Sequence, residues 1–137
     1  MVEKRLRKGA GLRSEVIAPD FEGEAKPDLL LVSWGSSKGA VTEAASRMKS
    51  DGERVGTLHF SQVWPMMPEQ FIDYLTSARE VVSVEGNALG QLARLIRRET
   101  GFDIEKKVLR YDGLPLTPQS ILRELRSQKD LKVRSIW

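Results

Sequence analysis

The sequence predicts an α/β fold in which helices cover both faces of an open, mostly parallel sheet, a three-layer αβα arrangement. Leu29, Leu30, Leu31 and Val32 form an uninterrupted apolar run, which is typical of a strand buried on both faces. A small-residue turn and a helical pattern follow this run, and the same strand–loop–helix order recurs along the chain. The length of 137 residues suits one domain with a proper core.

Four strands are predicted, each followed by a helix. The predicted strands span residues 29–33, 54–60, 80–84 and 106–111. The predicted helices span residues 37–50, 68–78 and 88–100, and a fourth begins at Pro118 with Thr117 as its N-cap. Residues 15–27 contain two prolines and a glycine and are expected to form an irregular linker. At the other end, Val133, Ile136 and Trp137 are expected to pair at a sheet edge or to dock loosely.

Charge is concentrated at the start of the chain. Residues 1–13 hold five basic residues and one acidic residue, a net of +4, so the other 124 residues carry −1 of the total of +3. We therefore divide the chain into a basic lead-in helix and linker, residues 1–27, and an α/β domain, residues 28–137. Because no aromatic residue is interleaved with the basic ones, nucleic acid is disfavoured as a partner.

Composition excludes several kinds of site. The chain has no cysteine, so it forms no disulfide and no thiolate-ligated iron–sulfur or zinc site of its own. Its one histidine, His59, lies in a predicted strand and is expected to be packed or hydrogen-bonded rather than a ligand. No run reaches the ~18 apolar residues of a membrane span, and the charged N-terminus does not resemble a secretory signal. A cytoplasmic protein without membrane contact is expected.

The first candidate site is the turn after the first strand. In open α/β sheets ligands gather beyond the carboxyl ends of the strands. Gly35, Ser36, Ser37, Lys38 and Gly39 stand at that edge, and their amides and polar side chains suit a phosphate or carboxylate, including a phosphate of coenzyme A. The spacing matches no nucleotide-binding fingerprint. The other interpretation is structural, with Ser36 or Ser37 capping the helix.

Two further candidates follow other strands. Two interpretations of Glu85 are open. In the functional one, Glu85 acts as an acid, a base or a hydrogen-bond acceptor for a partner. In the structural one, Glu85 binds a neighbouring loop amide, Asn87 is a helix N-cap and Gly90 allows close helix packing. Gln91 completes this polar stretch. The apolar loop that contains Trp64 and Pro65 either folds back on its own domain or covers a partner surface.

Four motifs in order resemble a known domain. They are Trp34-Gly35-Ser36-Ser37, Val63-Trp64-Pro65-Met66-Met67-Pro68, Val84-Glu85-Gly86-Asn87 with Gly90-Gln91-Leu92, and Tyr111-Asp112-Gly113-Leu114-Pro115 with Thr117-Pro118. The series resembles the transketolase C-terminal-like domain of the alpha subunit of 2-oxoacid:ferredoxin oxidoreductases. Met1 to Lys8 is similar to the basic helix that precedes that domain. Glu85-Gly86-Asn87-Ala88 departs from the family's more usual Glu-x-Asn-Tyr.

The resemblance implies a role in the CoA-dependent oxidative decarboxylation of a 2-oxoacid such as pyruvate or 2-oxoglutarate. Thiamine diphosphate, Mg, CoA and iron–sulfur clusters are implied for the full complex, and none of them for this domain. The implied partners are the thiamine-binding domain of the alpha subunit and the beta subunit, with ferredoxin as the electron acceptor of the complex. No catalytic residue of the family maps onto these 137 residues, so assembly and interdomain packing are the expected role.

Overall fold

A computed structural model describes residues 16–110 and 112–134. The strands are β1 (Asp20–Glu22), β2 (Leu29–Trp34), β3 (Val55–Phe60), β4 (Glu80–Glu85) and β5 (Lys106–Leu109). The helices are α1 (Lys38–Ser50), α2 (Ile72–Ser77), α3 (Gln91–Thr100) and α4 (Pro118–Arg134), with 3-10 turns at Gly35–Ser37 and Pro68–Gln70. Part of the predicted lead-in, residues 1–15, lies outside the described residues.

The strands form one sheet in the order β1-β3-β2-β4-β5. β2, β3, β4 and β5 are parallel, and only β1 runs antiparallel to its neighbour β3. The predicted open, mostly parallel α/β sheet is therefore confirmed. The linker prediction for residues 15–27 is wrong in one respect, because Asp20–Glu22 adds an edge strand. Phe21 anchors it by stacking on the ring of Tyr74, with centroids 4.4 Å apart.

Alternation along β2 divides the core into two clusters. Leu29 and Leu31 face α1 and α4, whereas Leu30 and Val32 face α2 and α3. All four side chains are buried, which explains the continuous apolar run: neighbouring residues of a strand point to opposite faces, and here both faces are covered.

Several predicted boundaries differ from the structure. The helix predicted over residues 68–78 is a 3-10 turn followed by the short α2, and the helix predicted from residue 88 begins at Gln91. The backbone is helical to Arg134, so the predicted pairing of Val133 at a sheet edge is wrong. Ile136 and Trp137 lie outside the described residues. Pro118 does begin α4, and the Thr117 hydroxyl oxygen accepts the Ser120 amide at 3.1 Å, as an N-cap should.

The topology places a crevice between β2 and β4. β2 leads into α1 on one face of the sheet, and β4 leads into α3 on the other face. Where neighbouring strands lead to opposite faces, their loops diverge and leave an opening at the carboxyl ends, where such folds bind ligands. Within the described part of the chain, no helix has the length and apolar character needed to cross a membrane.

Candidate functional site at the carboxyl edge of the sheet

The crevice is a cleft of about 750 Å³. Its lining comes from the ends of β2, β4 and β5 and the segments that follow them: Trp34, Gly35, Ser36, Ser37, Gly86, Asn87, Gln91, Arg110, Gly113, Leu114, Pro115 and Leu116. Most of the predicted candidates, namely Gly35, Ser36, Ser37, Asn87 and Gln91, thus share one cleft. Trp64 and Pro65 follow β3 and lie outside it.

Glu85 closes the floor of this region and is fully buried, with 0% of its surface exposed. Its Oε1 accepts hydrogen bonds from the indole N–H of Trp34 at 3.1 Å and from the backbone N–H of Leu92 at 2.6 Å. Its Oε2 accepts from the Ser83 hydroxyl at 2.7 Å and from the Ala93 N–H at 3.3 Å. One carboxylate thereby joins the end of β2, β4 and the first turn of α3.

Asn87 completes the network around this carboxylate. Its side-chain NH₂ donates to Glu85 Oε1 at 3.1 Å, and its Oδ1 accepts from the N–H groups of Leu89 and Gln91, each at 3.2 Å. Asn87 was predicted to be the N-cap residue of α3, and that assignment is wrong: Gly90 occupies the N-cap position and supplies no side-chain acceptor. Glu85 and Asn87 instead satisfy the first amides of α3 from a distance, where a negative charge is stabilised by the helix dipole.

Gly90 is at a tightly enclosed position. Its backbone is left-handed, with φ of +62°, and a Cβ there would lie 2.9 Å from Cδ of Lys107. The expectation that Gly90 allows close packing agrees with this geometry, since a side chain would strain the left-handed backbone and would displace the end of the Lys107 side chain.

The turn after β2 does not form the predicted set of anion-binding side chains. The buried Ser37 hydroxyl donates to the carbonyl of Trp34 at 2.8 Å and caps no amide, so the predicted serine cap is wrong for this residue. The ammonium of Lys38 lies 3.5 Å from a carboxylate oxygen of Asp20. Gly35 and Ser36 do line the cleft, and anion binding there stays a prediction without the help of Lys38.

The loop at residues 64–68 folds back on its own domain and leaves one large apolar side chain exposed, so that covering a partner surface stays a prediction. Met66 is buried in the cluster that contains Phe60 and Phe71, so the loop folds back on its own domain. Trp64 points outward with 60% of its surface exposed, and the Trp64–Pro65 peptide bond is cis. A side-chain amide from Gln62 donates to the Trp64 carbonyl at 3.3 Å.

Exposed apolar side chains recur along the whole carboxyl edge. Leu89 follows β4 with 55% exposed, and Leu114 follows β5 with 59% exposed. With Trp64 after β3 and the half-buried Trp34 at the end of β2, each parallel strand contributes one large apolar group. We call these four residues the apolar edge. Sequence reasoning missed Leu114, although a leucine inside a Gly- and Pro-rich loop was a usable signal. The helical spacing from residue 88 predicts Leu89 on the buried face, and this is wrong because the helix begins only at Gln91.

Sequence reasoning also missed the cation of the cleft, Arg110. Its Nε donates to Oδ1 of Asp112 at 3.1 Å, and the same oxygen accepts from the Leu114 N–H at 3.1 Å. The Arg110 guanidinium, followed by the Leu114 amide, lowers the pKa of Asp112.

His59 lies away from the cleft. It is buried in β3, and its Nδ1 is 2.8 Å from the hydroxyl oxygen of Ser33 on β2, which confirms the expectation of a packed, hydrogen-bonded histidine. Burial lowers the pKa of His59, and the positive charge of Lys38 lowers it further.

The donor atoms near the cleft do not suit a metal ion. No group of three or more His, Asp or Glu side chains that could hold a metal occurs among residues 16–110 and 112–134 as described. The carboxylate of Glu85 already accepts five hydrogen bonds.

The sheet and its edge define a class of domain. A split-gene transketolase superposes on the chain with a TM-score of 0.59 over 79% of the chain and 40% of its own length. At 19% identity, this likeness concerns the fold alone. It confirms the predicted transketolase C-terminal-like architecture.

The chain belongs to the pyruvate:ferredoxin oxidoreductase core domain II family, whose model matches residues 27–121. It is 30% identical to the alpha subunit of 2-oxoacid:ferredoxin oxidoreductase 1 from Aeropyrum pernix, over 98% of this chain and 22% of that protein. The 2-oxoglutarate:ferredoxin oxidoreductase from Magnetococcus marinus, solved with 2-oxoglutarate, coenzyme A and succinyl-CoA, gives a TM-score of 0.82 at 29% identity, over 93% of this chain and 22% of that one.

The alpha chain of a probable 2-oxoacid ferredoxin oxidoreductase from Thermoplasma acidophilum is also similar. It shows 32% identity and a TM-score of 0.57, over 80% of this chain and 95% of that one. The suspected family is therefore confirmed, and the chain spans about a fifth of the length of the Aeropyrum relative.

Proposed function

We propose that the chain is a domain of the alpha subunit of a CoA-dependent 2-oxoacid:ferredoxin oxidoreductase that acts in the cytoplasm on a 2-oxoacid such as pyruvate or 2-oxoglutarate. Its role is assembly and interdomain packing rather than catalysis. It packs against the thiamine-binding domain of the alpha subunit and against the beta subunit, and ferredoxin accepts the electrons from the whole complex. Family membership supports the reaction class.

The apolar edge is the observation that carries the assembly role. Trp64, Leu89 and Leu114 each keep more than half of their surface exposed, and they stand on three loops that leave the same end of the sheet. Covering them contributes about 25 cal/mol for each Å² of apolar surface removed from water. A protein surface suits these three side chains better than a small ligand does, because a small ligand bound in the cleft would leave them exposed.

The chemistry of the edge supports a non-catalytic role. An acid or base must exchange a proton with a substrate within hydrogen-bond reach. The carboxylate of Glu85 lies beneath the surface, and backbone, indole, amide and hydroxyl donors occupy both of its oxygens. Because the chain contains no cysteine, the iron–sulfur clusters of the proposed complex are held elsewhere. Our proposal also assigns thiamine diphosphate, Mg and coenzyme A to other parts of the complex.

Binding to the proposed partners tests the assembly role directly. The chain is mixed with the thiamine-binding domain and the beta subunit from the same organism, and the dissociation constant is measured by calorimetry. The double substitution Leu89→Ser and Leu114→Ser is expected to weaken binding by about tenfold or more. The matched substitution of both residues by methionine keeps the apolar surface and is expected to bind like the natural chain. Equal binding by the serine variant would contradict the proposal.

A second experiment tests the absence of catalysis in this domain. The purified chain is assayed for 2-oxoacid- and CoA-dependent reduction of ferredoxin, alone and after addition of the other subunits. We expect activity only in the mixture. Turnover by the isolated chain at the rate of the complex would exclude an assembly role without catalysis.

A further inference from the structure

We propose that the carboxyl edge receives a partner segment in which an acidic side chain binds Arg110 while neighbouring apolar side chains cover Leu89 and Leu114. This inference rests on the proposed assembly function and names the chemistry of the surface that meets the domain. It follows from the unused terminal nitrogens of Arg110 and from the exposed leucines, Leu89 and Leu114, on two loops at the same edge of the sheet.

The cleft lining carries one positive charge and no negative one. Arg110 is its only charged residue among the described lining residues, and the remaining side chains there are polar or apolar. The nearest carboxylates are already engaged, since Glu85 is saturated by five donors and Asp112 accepts from Arg110 itself. Neither carboxylate bonds the terminal nitrogens of Arg110, and an acidic side chain of a partner is the group that suits those nitrogens.

Arg110 is held in place with part of its guanidinium unused. Its side chain is 24% exposed, and its Nε donates to Asp112, but its two terminal nitrogens have no hydrogen-bond partner among the described residues. Those terminal nitrogens can bind a carboxylate in a bidentate, fork-to-fork arrangement. A guanidinium fixed by one bond loses less side-chain entropy when it binds a second group.

Asp112 links the charged residue of the cleft, Arg110, to the exposed residue Leu114. The same Oδ1 accepts from Arg110 Nε and from the backbone N–H of Leu114, each at 3.1 Å. Asp112 therefore bonds both the guanidinium and the backbone of the exposed leucine. A surface that presents a carboxylate next to an aliphatic side chain is complementary to this arrangement.

A protein segment fits this edge better than a free anion does. A small carboxylate or phosphate bound at Arg110 would satisfy the charge but leave Leu89 and Leu114, at 55% and 59% exposure, in water. A protein surface covers these leucines and satisfies the guanidinium together. An apolar contact surrounding a charge-assisted bond is the arrangement of an interface hot spot, where excluded water strengthens the polar contact.

Calorimetry with the thiamine-binding domain and the beta subunit tests the role of the arginine. Arg110→Gln is expected to weaken binding by about tenfold or more at low salt, and the difference from the natural chain is expected to shrink at high salt, where charges are screened. Arg94→Gln on the exposed face of α3 is the matched control and is expected to stay within about twofold. Arg110→Lys keeps the charge without the fork and should give an intermediate loss.

The outcomes separate this inference from the function on which it rests. If Arg110→Gln binds as well as Arg94→Gln, or more tightly, while the Leu89→Ser, Leu114→Ser variant is weakened, the acidic partner is refuted and the assembly role stands. If the serine variant also binds normally, both proposals are wrong. Far-UV circular dichroism and urea midpoints verify that each variant is folded. If Arg110→Gln does not fold, the binding of Arg110→Lys is compared with that of the natural chain instead, and equal binding refutes the acidic partner.

Discussion

Replacing Glu85 by glutamine keeps the size and shape of the side chain but exchanges one acceptor oxygen for an NH₂ group. Five donors face the two carboxylate oxygens, so an NH₂ group at either position points a donor at other donors. The less damaging orientation places the NH₂ at Oε2, because the Ser83 hydroxyl there can rotate and accept. The N–H of Ala93, which now donates to Oε2 at 3.3 Å, then loses its acceptor.

The magnitude follows from two losses. A buried N–H without a partner costs about 1 to 3 kcal/mol. Removing a negative charge from the first turn of α3 costs about 0.5 to 2 kcal/mol, since the site is buried and the helix dipole is little screened. We therefore expect Glu85→Gln to lower the free energy of unfolding by about 3 kcal/mol, a large share of the stability of a small domain.

Urea unfolding of the full chain, followed by tryptophan fluorescence and circular dichroism, measures this loss. With a slope of about 2 kcal/mol per molar urea, the midpoint falls by about 1.5 M. Glu105→Gln is the matched control, because Glu105 is exposed in the segment before β5, and its substitution should change stability by less than about 0.5 kcal/mol. Equal midpoints for the two variants would refute the argument that Glu85 holds β2, β4 and α3 together.

Three further substitutions test other parts of the structure. Gly90→Ala forces a side chain into a left-handed backbone against Lys107 and should cost about 1 to 2 kcal/mol in the same urea assay; no loss would contradict the strain. Trp34→Phe keeps an aromatic side chain but removes the indole N–H, one of the five donors to Glu85. It should cost about 1 kcal/mol, and a loss as large as that of Glu85→Gln would show that this bond matters more than the carboxylate's other partners. Burial holds the pKa of His59 below its ordinary value of 6.5, so the unfolded chain binds the proton more readily and stability falls as the pH drops through that value. His59→Asn should reduce this fall between about pH 7.5 and pH 5.5, and an unchanged slope would show that other groups cause it.

Local patterns in the sequence predicted most of the architecture. The apolar run at β2 indicated a strand covered on both faces, and Thr117 with Pro118 marked the start of α4, because these signals depend on a few adjacent residues. The candidate loops were also located correctly at one sheet edge, since the carboxyl ends of parallel strands necessarily meet there. Family resemblance then supplied the reaction class that we propose.

Other features depended on distant partners. Asp20–Glu22 is too short and too polar to predict as a strand, and it forms one because β3 offers an unpaired edge. Ser37 resembles a helix cap, but the Trp34 carbonyl competes successfully for its hydroxyl. Local propensity gives way wherever a tertiary contact satisfies the same group.

The sequence by itself determined the fold class, the meeting of the parallel strands' loops at one edge and the absence of thiolate chemistry, because periodicity and composition are properties of the chain alone. Only the tertiary structure decided that Glu85 is an enclosed organising carboxylate and that Arg110 stands beside an exposed leucine. Both results depend on which groups surround a side chain. A carboxylate among five donors and a carboxylate in water have the same letter in the sequence, and packing alone makes them different.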